Sequence, residues 1–181
     1  MKFFSKCMSV FSVLCLLVGC SSTSIKLQKE SFLVELGNPI SVDAKTYLDK
    51  DSDKSLLKET TITFEENDLY MVDKQRKILT STTGEYLPVG KYHAKARHGK
   101  IEKEFVVEVK DTTAPKFIDF KAEISIEVGA EVKLEDYFKA EDLSQVTISI
   151  NKDELNLTKE GSYGIQVTAT DQYKNKVTEK S

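Results

Sequence analysis

Apolar and polar residues alternate with a period of two along much of this chain. Tyr163, Ile165, Val167 and Ala169 fall on one side of an extended backbone and Gln166, Thr168 and Thr170 on the other, which is the pattern of a strand with one buried face. The same period runs through Ile124-Ser125-Ile126-Glu127-Val128 and Val146-Thr147-Ile148-Ser149-Ile150. Glu104-Phe105-Val106-Val107-Glu108-Val109-Lys110 is a β-branched run, and Lys116-Phe117-Ile118-Asp119 opens another strand. None of these blocks carries a helical stripe. Many short strands with turns between them predict an all-β sandwich or barrel.

The pattern occurs twice. Val34-Glu35-Leu36-Gly37 running to Ile40-Ser41-Val42-Asp43 matches Ile126-Glu127-Val128-Gly129 running to Val132-Lys133-Leu134-Glu135, and Gly37 and Gly129 are 92 residues apart. Each block is followed by an aromatic-apolar pair, Tyr47-Leu48 and Tyr137-Phe138. A second matched block pairs Gly90-Lys91-Tyr92 with Gly161-Ser162-Tyr163 at an offset of 71, so the first copy carries 21 more residues in its middle. Between the copies lies Asp111-Thr112-Thr113-Ala114-Pro115. Pro115 lacks a backbone donor and holds Ala114 extended, so this segment predicts a stiff joint that continues neither helix nor sheet. Two tandem units follow, 30–111 with the enlarged middle and 112–181. Aligning Lys176-Val177-Thr178-Glu179 with Lys100-Ile101-Glu102-Lys103 sets Ser181 opposite Phe105, so the last strand of the second unit is short. That leaves a tolerated short edge, a truncated piece of a longer array, or a groove to which a partner strand adds.

The joint, the apolar-acidic-apolar-Gly strand end, the Gly-x-Tyr block, and Ala169-Thr170-Asp171 leading into Lys174-Asn175 resemble the bacterial immunoglobulin-like domains of surface proteins, a group similar to hyalin repeats. The resemblance covers nearly all of the second copy and most of the first, which has His98-Gly99 where the turn from Asp171 to Asn175 would be. It implies two tandem immunoglobulin-like β-sandwiches. In such sandwiches a tyrosine near the start of the sixth strand bonds back to the chain, two residues before the core position that holds a cysteine in antibodies. Tyr92 and Tyr163 fit that structural role, with Ala94 and Ile165 at the cysteine positions; the alternative is that both are inward-facing core aromatics.

The N-terminus changes the picture of where the protein sits. Lys2 and Lys6 precede an apolar stretch from Met8 to Val18 that is too short to span a bilayer, as in a signal peptide occupying residues 1–19. It ends in Leu17-Val18-Gly19-Cys20, which resembles the bacterial lipobox. The resemblance implies cleavage before Cys20 and a diacylglyceryl group on its thiol, the nucleophile the chemistry requires. Residues 20–29 then form a lipidated polar tether, unless Ile25 and Leu27 already belong to the first strand. The expected location is the extracytoplasmic face of the cell membrane, with the membrane itself as a partner through the lipid.

Cys7 and Cys15 lie inside the removed segment, so the mature chain has no disulfide and its fold stands on its core. Removing Lys2 and Lys6 from the 26 basic residues leaves 24 against 29 acidic ones, a net charge of -5. Nucleic-acid binding, which needs a concentrated basic face, is excluded on that ground. Asp49, Asp51 and Asp53 alternate as the ligands of a calcium loop do, but Lys54 stands where the tight turn needs glycine and Thr60 where glutamate would close the frame. The segment reads as a solvated loop. His93 and His98 read as surface residues with no nucleophile beside them, and no cofactor or catalytic pattern is expected.

The resemblance implies a non-catalytic, lipid-anchored module acting in adhesion, in binding a protein or carbohydrate ligand, or as a spacer. A binding role predicts an exposed apolar or aromatic patch, foremost between Asp49 and Leu87. Two other readings stay open: an accessory lipoprotein subunit of a membrane enzyme or transporter, and a remnant of a longer surface protein.

Overall fold

The computed structural model describes residues 24–181; the signal segment and Cys20 lie outside them. The chain is all-β. Its first unit is built on a four-stranded sheet in the order β1 (Ser31–Glu35), β6 (Ile101–Lys110), β5 (Gly90–His98), β2 (Thr61–Phe64). β1 runs parallel to the second half of β6, pairing Ser31 with Val106 through Glu35 with Lys110. β5 and β6 pair antiparallel along their whole lengths.

The opposing layer is less regular. It contains the hairpin of β3 (Tyr70–Asp73) and β4 (Ile78–Ser81), with bridges from Ser41 to Ile78 and from Leu27 to Leu48. Alternation sends Tyr92, Ala94 and Ala96 of β5 and Phe105, Val107 and Val109 of β6 inward against Ile40, Tyr47, Leu48 and Leu79. Tyr47 packs edge-on to Phe32 at 4.9 Å and lies 4.6 Å from the Phe105 ring. Ile25 is buried in this core and Leu27 packs against it, so the chain before Glu30 is part of the sandwich.

The added residues of the first copy do not form an excursion. They supply the short helix α1 (Lys54–Glu59) and the β3–β4 hairpin on either side of β2, and they bury Leu56 and Leu79 in the same core.

The second unit repeats this plan. Its sheet runs β11 (Lys176–Lys180), β10 (Gln166–Asp171), β9 (Val146–Asn151), and faces the pair β7 (Lys116–Phe120) and β8 (Phe138–Glu141). Its core gathers Leu134, Phe138, Ile165 and Val167, with Phe117, Phe120, Ile148 and Ile150 packed around them. The Phe120–Phe138 pairing occupies the place of the Leu27–Leu48 bridge in the first unit. Two sandwiches in tandem result.

One expected strand is missing. Ile124 to Val128 alternates as a strand does, yet it makes no ladder, although Ile124 and Ile126 do pack on the core. Its counterpart β1 pairs with residues 106–110 of β6, and β11 of the second unit reaches only Lys180. Alternation places one face on a core, but a ladder needs a neighbouring backbone.

Candidate functional site

Three features lie at the joint and along the second sandwich. The first is a clamp. β1 brings Glu35 to the end of the first sandwich, where its carboxylate accepts from the Thr112 and Thr113 backbone N–H groups at 2.8 and 3.1 Å and from their hydroxyls at 2.6 and 2.8 Å. The hydroxyl and N–H of Thr112, followed by those of Thr113, hold the Glu35 carboxyl below its ordinary range. Beside it, Gly37 has φ +87°, and a Cβ placed there would lie 2.5 Å from Leu143 Cδ1. Glycine is favoured here by its positive φ, while the Leu143 methyl is the end of an exposed side chain that can turn aside.

The second feature is a convergence of three carboxylates. Asp111 follows β6, Asp142 follows β8, and Asp171 ends β10. One oxygen from each lies within 4.8 Å of the other two, and no other such group occurs among the described residues. Asp171 is 3% exposed and Asp111 8%. Neighbouring groups aim each side chain. Asp142 Oδ1 accepts from the Ser144 N–H and hydroxyl at 3.0 and 3.1 Å. Asp171 Oδ1 accepts from the Tyr173 and Asn175 N–H groups, and its Oδ2 from Asn175 Nδ2 at 2.7 Å. The same amide donates to the Asp111 carbonyl at 3.1 Å, tying the joint to the second sandwich. Asp111 Oδ2 is buried with no hydrogen-bond partner. Burial pushes the Asp111 carboxyl above its ordinary range; the Ser144 hydroxyl opposes this, and the Asp142 and Asp171 carboxylates add to it.

The third feature is a groove of about 540 Å³ in the second sandwich. Residues 122–128 form one flank and 159–163 the other, with Leu134, Leu155 and Ile165 among the lining residues. At its end Ile165 and Ser181 exchange both backbone hydrogen bonds, at 2.9 and 3.1 Å, as Ala94 and Phe105 face each other in the first unit. Beyond that point the first unit carries residues 106–110 of β6 between β1 and β5. The groove occupies the corresponding place.

The Tyr92 hydroxyl donates to the Pro88 carbonyl at 2.6 Å from a ring that is 6% exposed, and the Tyr163 hydroxyl to the Lys159 carbonyl at 3.3 Å from a more open position. Both bonds reach four residues upstream, and Ala94 and Ile165 are buried two positions on. Asp49, Asp51 and Asp53 do not converge: Asp49 Oδ1 accepts from the Asp51 N–H, and Asp53 stands at the start of α1. His93 is exposed; His98 is half-buried, with Nδ1 lacking a partner. In the stretch from Asp49 to Leu87 the exposed apolar side chains are Leu69, Met71, Val72 and Tyr86.

The carboxylate group escaped the sequence reading because its members lie far apart in the chain. A local signal did exist: Asp142 and Asp171 each precede a residue able to bond back to a carboxylate, Ser144 and Asn175.

No family model matches this chain, and no curated protein matches it. Among solved structures it is similar to protocadherin gamma B7 extracellular cadherin domains 1–4, at 15% identity and a TM-score of 0.32, over 87% of this chain and 48% of that one. It thus spans about half the length of that chain. It is also similar to human protocadherin-24 EC1-2, at 16% identity and a TM-score of 0.32, over 88% of this chain and 93% of that one. Such scores carry no argument for function, and the fold rests on the sheets and cores described above.

Proposed function

We propose that this chain is a lipid-anchored, extracytoplasmic, non-catalytic binding module built from two tandem sandwiches. The observation that supports binding over a pure spacer role is the groove between residues 122–128 and 159–163. Its equivalent in the first unit receives a strand of alternating apolar residues, Val107 and Val109 facing the core. The occupant it suits is an extended strand with apolar residues at every second position. Backbone hydrogen bonds to both flanks would supply affinity, and the lining made by Leu134, Leu155 and Ile165 would set the side-chain preference.

The anchoring part of this reading rests on the lipobox resemblance at Cys20. Cys20→Ala should move the protein from the membrane fraction to the soluble one; retention on the membrane would refute the lipid tether. A peptide with the sequence of residues 105–110 tests the groove. It should raise the melting temperature of the full chain with one-to-one stoichiometry, while a scrambled peptide does not. No shift at saturating peptide would leave the spacer reading in its place.

A further inference from the structure

We infer that Asp111, Asp142 and Asp171 form a binding site for one calcium ion at the start of the second sandwich. This goes beyond the strand-binding role and does not depend on it. Three hard oxygen donors lie within 4.8 Å of one another. Three oxygens no more than 4.8 Å apart lie about 2.8 Å or less from a common centre, so a small inward adjustment brings all three to the roughly 2.3–2.6 Å of a calcium–oxygen bond. Magnesium bonds at roughly 2.0–2.1 Å in near-octahedral geometry and keeps several of its waters, so it is the poorer match to three protein carboxylates.

An acidic cluster alone would be no evidence of an ion. Here the second observation is Asp111 itself, 8% exposed, with Oδ2 buried and unpartnered among carboxylates it must repel. Asp111 Oδ1 accepts from the Thr113 N–H at 3.3 Å, but a buried carboxylate oxygen without a partner is costly, and a cation supplies for Oδ2 the partner the protein does not. The other two ligands are held ready. Ser144 fixes Asp142 through Oδ1 and leaves its Oδ2 for an ion, and Tyr173 with Asn175 fixes Asp171, whose Oδ2 accepts one bond and keeps a second lone pair. Water completes the six to eight oxygens such an ion takes.

Asp111 belongs to the joint, whereas Asp142 and Asp171 belong to the second sandwich, after β8 and at the end of β10. The ion therefore cross-links the joint to the sandwich, adding to the Asn175 bond to the Asp111 carbonyl. With three carboxylates and the remainder water, the expected dissociation constant is on the order of 10⁻⁴ M, in the range of extracellular calcium modules.

The test is calorimetric titration of the chelator-stripped full chain with calcium chloride and with magnesium chloride, alongside thermal melts. One calcium per chain is expected, with magnesium at least about 10-fold weaker. Asp142→Asn, at a partly exposed position, should weaken calcium at least about 10-fold and keep the circular dichroism of the fold. Asp111→Asn gives a readout that a merely structural aspartate would not: the stripped protein should melt higher, because buried repulsion is removed, and calcium should no longer raise it. Absence of heat and of a melting shift at millimolar calcium would overturn the site. So would calcium binding that survives Asp142→Asn but is lost in an Asp49→Asn, Asp51→Asn, Asp53→Asn triple variant. Equal affinity for magnesium would overturn the choice of ion.

Discussion

The two tyrosines that bond back to the chain make a matched pair set in different surroundings, and Tyr92→Phe and Tyr163→Phe should have unequal costs. Phenylalanine keeps each ring and removes only the hydroxyl. At Tyr92 the lost bond is short, 2.6 Å, and partly buried, and the Pro88 carbonyl is left without that donor. Burial of the ring, with Tyr70 at 5.4 Å, keeps water from replacing it well. The expected loss is about 1–2 kcal/mol, a net hydrogen bond plus part of the penalty for an unsatisfied acceptor. At Tyr163 the bond is longer, 3.3 Å, and solvent-exposed, so water substitutes and about 0.5 kcal/mol or less is lost. For a unit of this size each kcal/mol moves the melting temperature by roughly 4–8 °C, which separates the variants: roughly 5–15 °C for Tyr92→Phe and at most about 4 °C for Tyr163→Phe. Scanning calorimetry of the full chain is the assay, since each substitution lies in a different sandwich and should shift a different transition. Equal shifts, or a larger one for Tyr163→Phe, would refute the assignment of the difference to burial of the hydrogen bond.

The joint offers a further prediction with its own readout. Glu35→Gln should weaken the clamp by about 1 kcal/mol, a value discounted for its exposure, and should speed hydrogen exchange at the Thr112 and Thr113 amides; unchanged exchange would contradict the clamp. Because the Glu35 carboxyl is held below its ordinary value of 4.5, its contribution is present above that pH and is lost as pH falls through the lower folded value. Protection of both amides should therefore decline only in that acid range. Gly37→Ala and Gly129→Ala should both lower the melting temperature, each costing a similar amount of about 1 kcal/mol, since each puts a side chain at positive φ and the Leu143 methyl near Gly37 can turn into solvent; a much larger cost at Gly37 would show that Leu143 is held in place.

The parts of the protein legible in its sequence are those encoded by neighbours in the chain. Alternation at Val146–Asn151 and Gln166–Asp171 marks strands that do alternate between core and solvent. The repeat of the Gly-x-Tyr blocks marks two strands that occupy equivalent places, β5 and the run into β10, with Ile165 paired to Ser181 as Ala94 is to Phe105. The same reasoning fails at Ile124 to Val128, where the period of two reports a buried face and cannot report whether a backbone lies alongside. It is equally silent on the added residues of the first copy. Leu56 and Leu79 share no period, yet they enter one core from a helix and a hairpin.

By itself, then, the sequence determined most of the strands, the twofold repeat and a segment at 111–115 that continues neither helix nor ladder, because periodicity and proline geometry act over a few residues. Only the tertiary structure decided that Glu35 grips the joint, that a groove runs beside residues 122–128, and that Asp111, Asp142 and Asp171 meet. These depend on strand registers that bring together residues up to 78 positions apart, as Glu35 and Thr113 are, and electrostatic neighbours at that separation leave no local pattern to read.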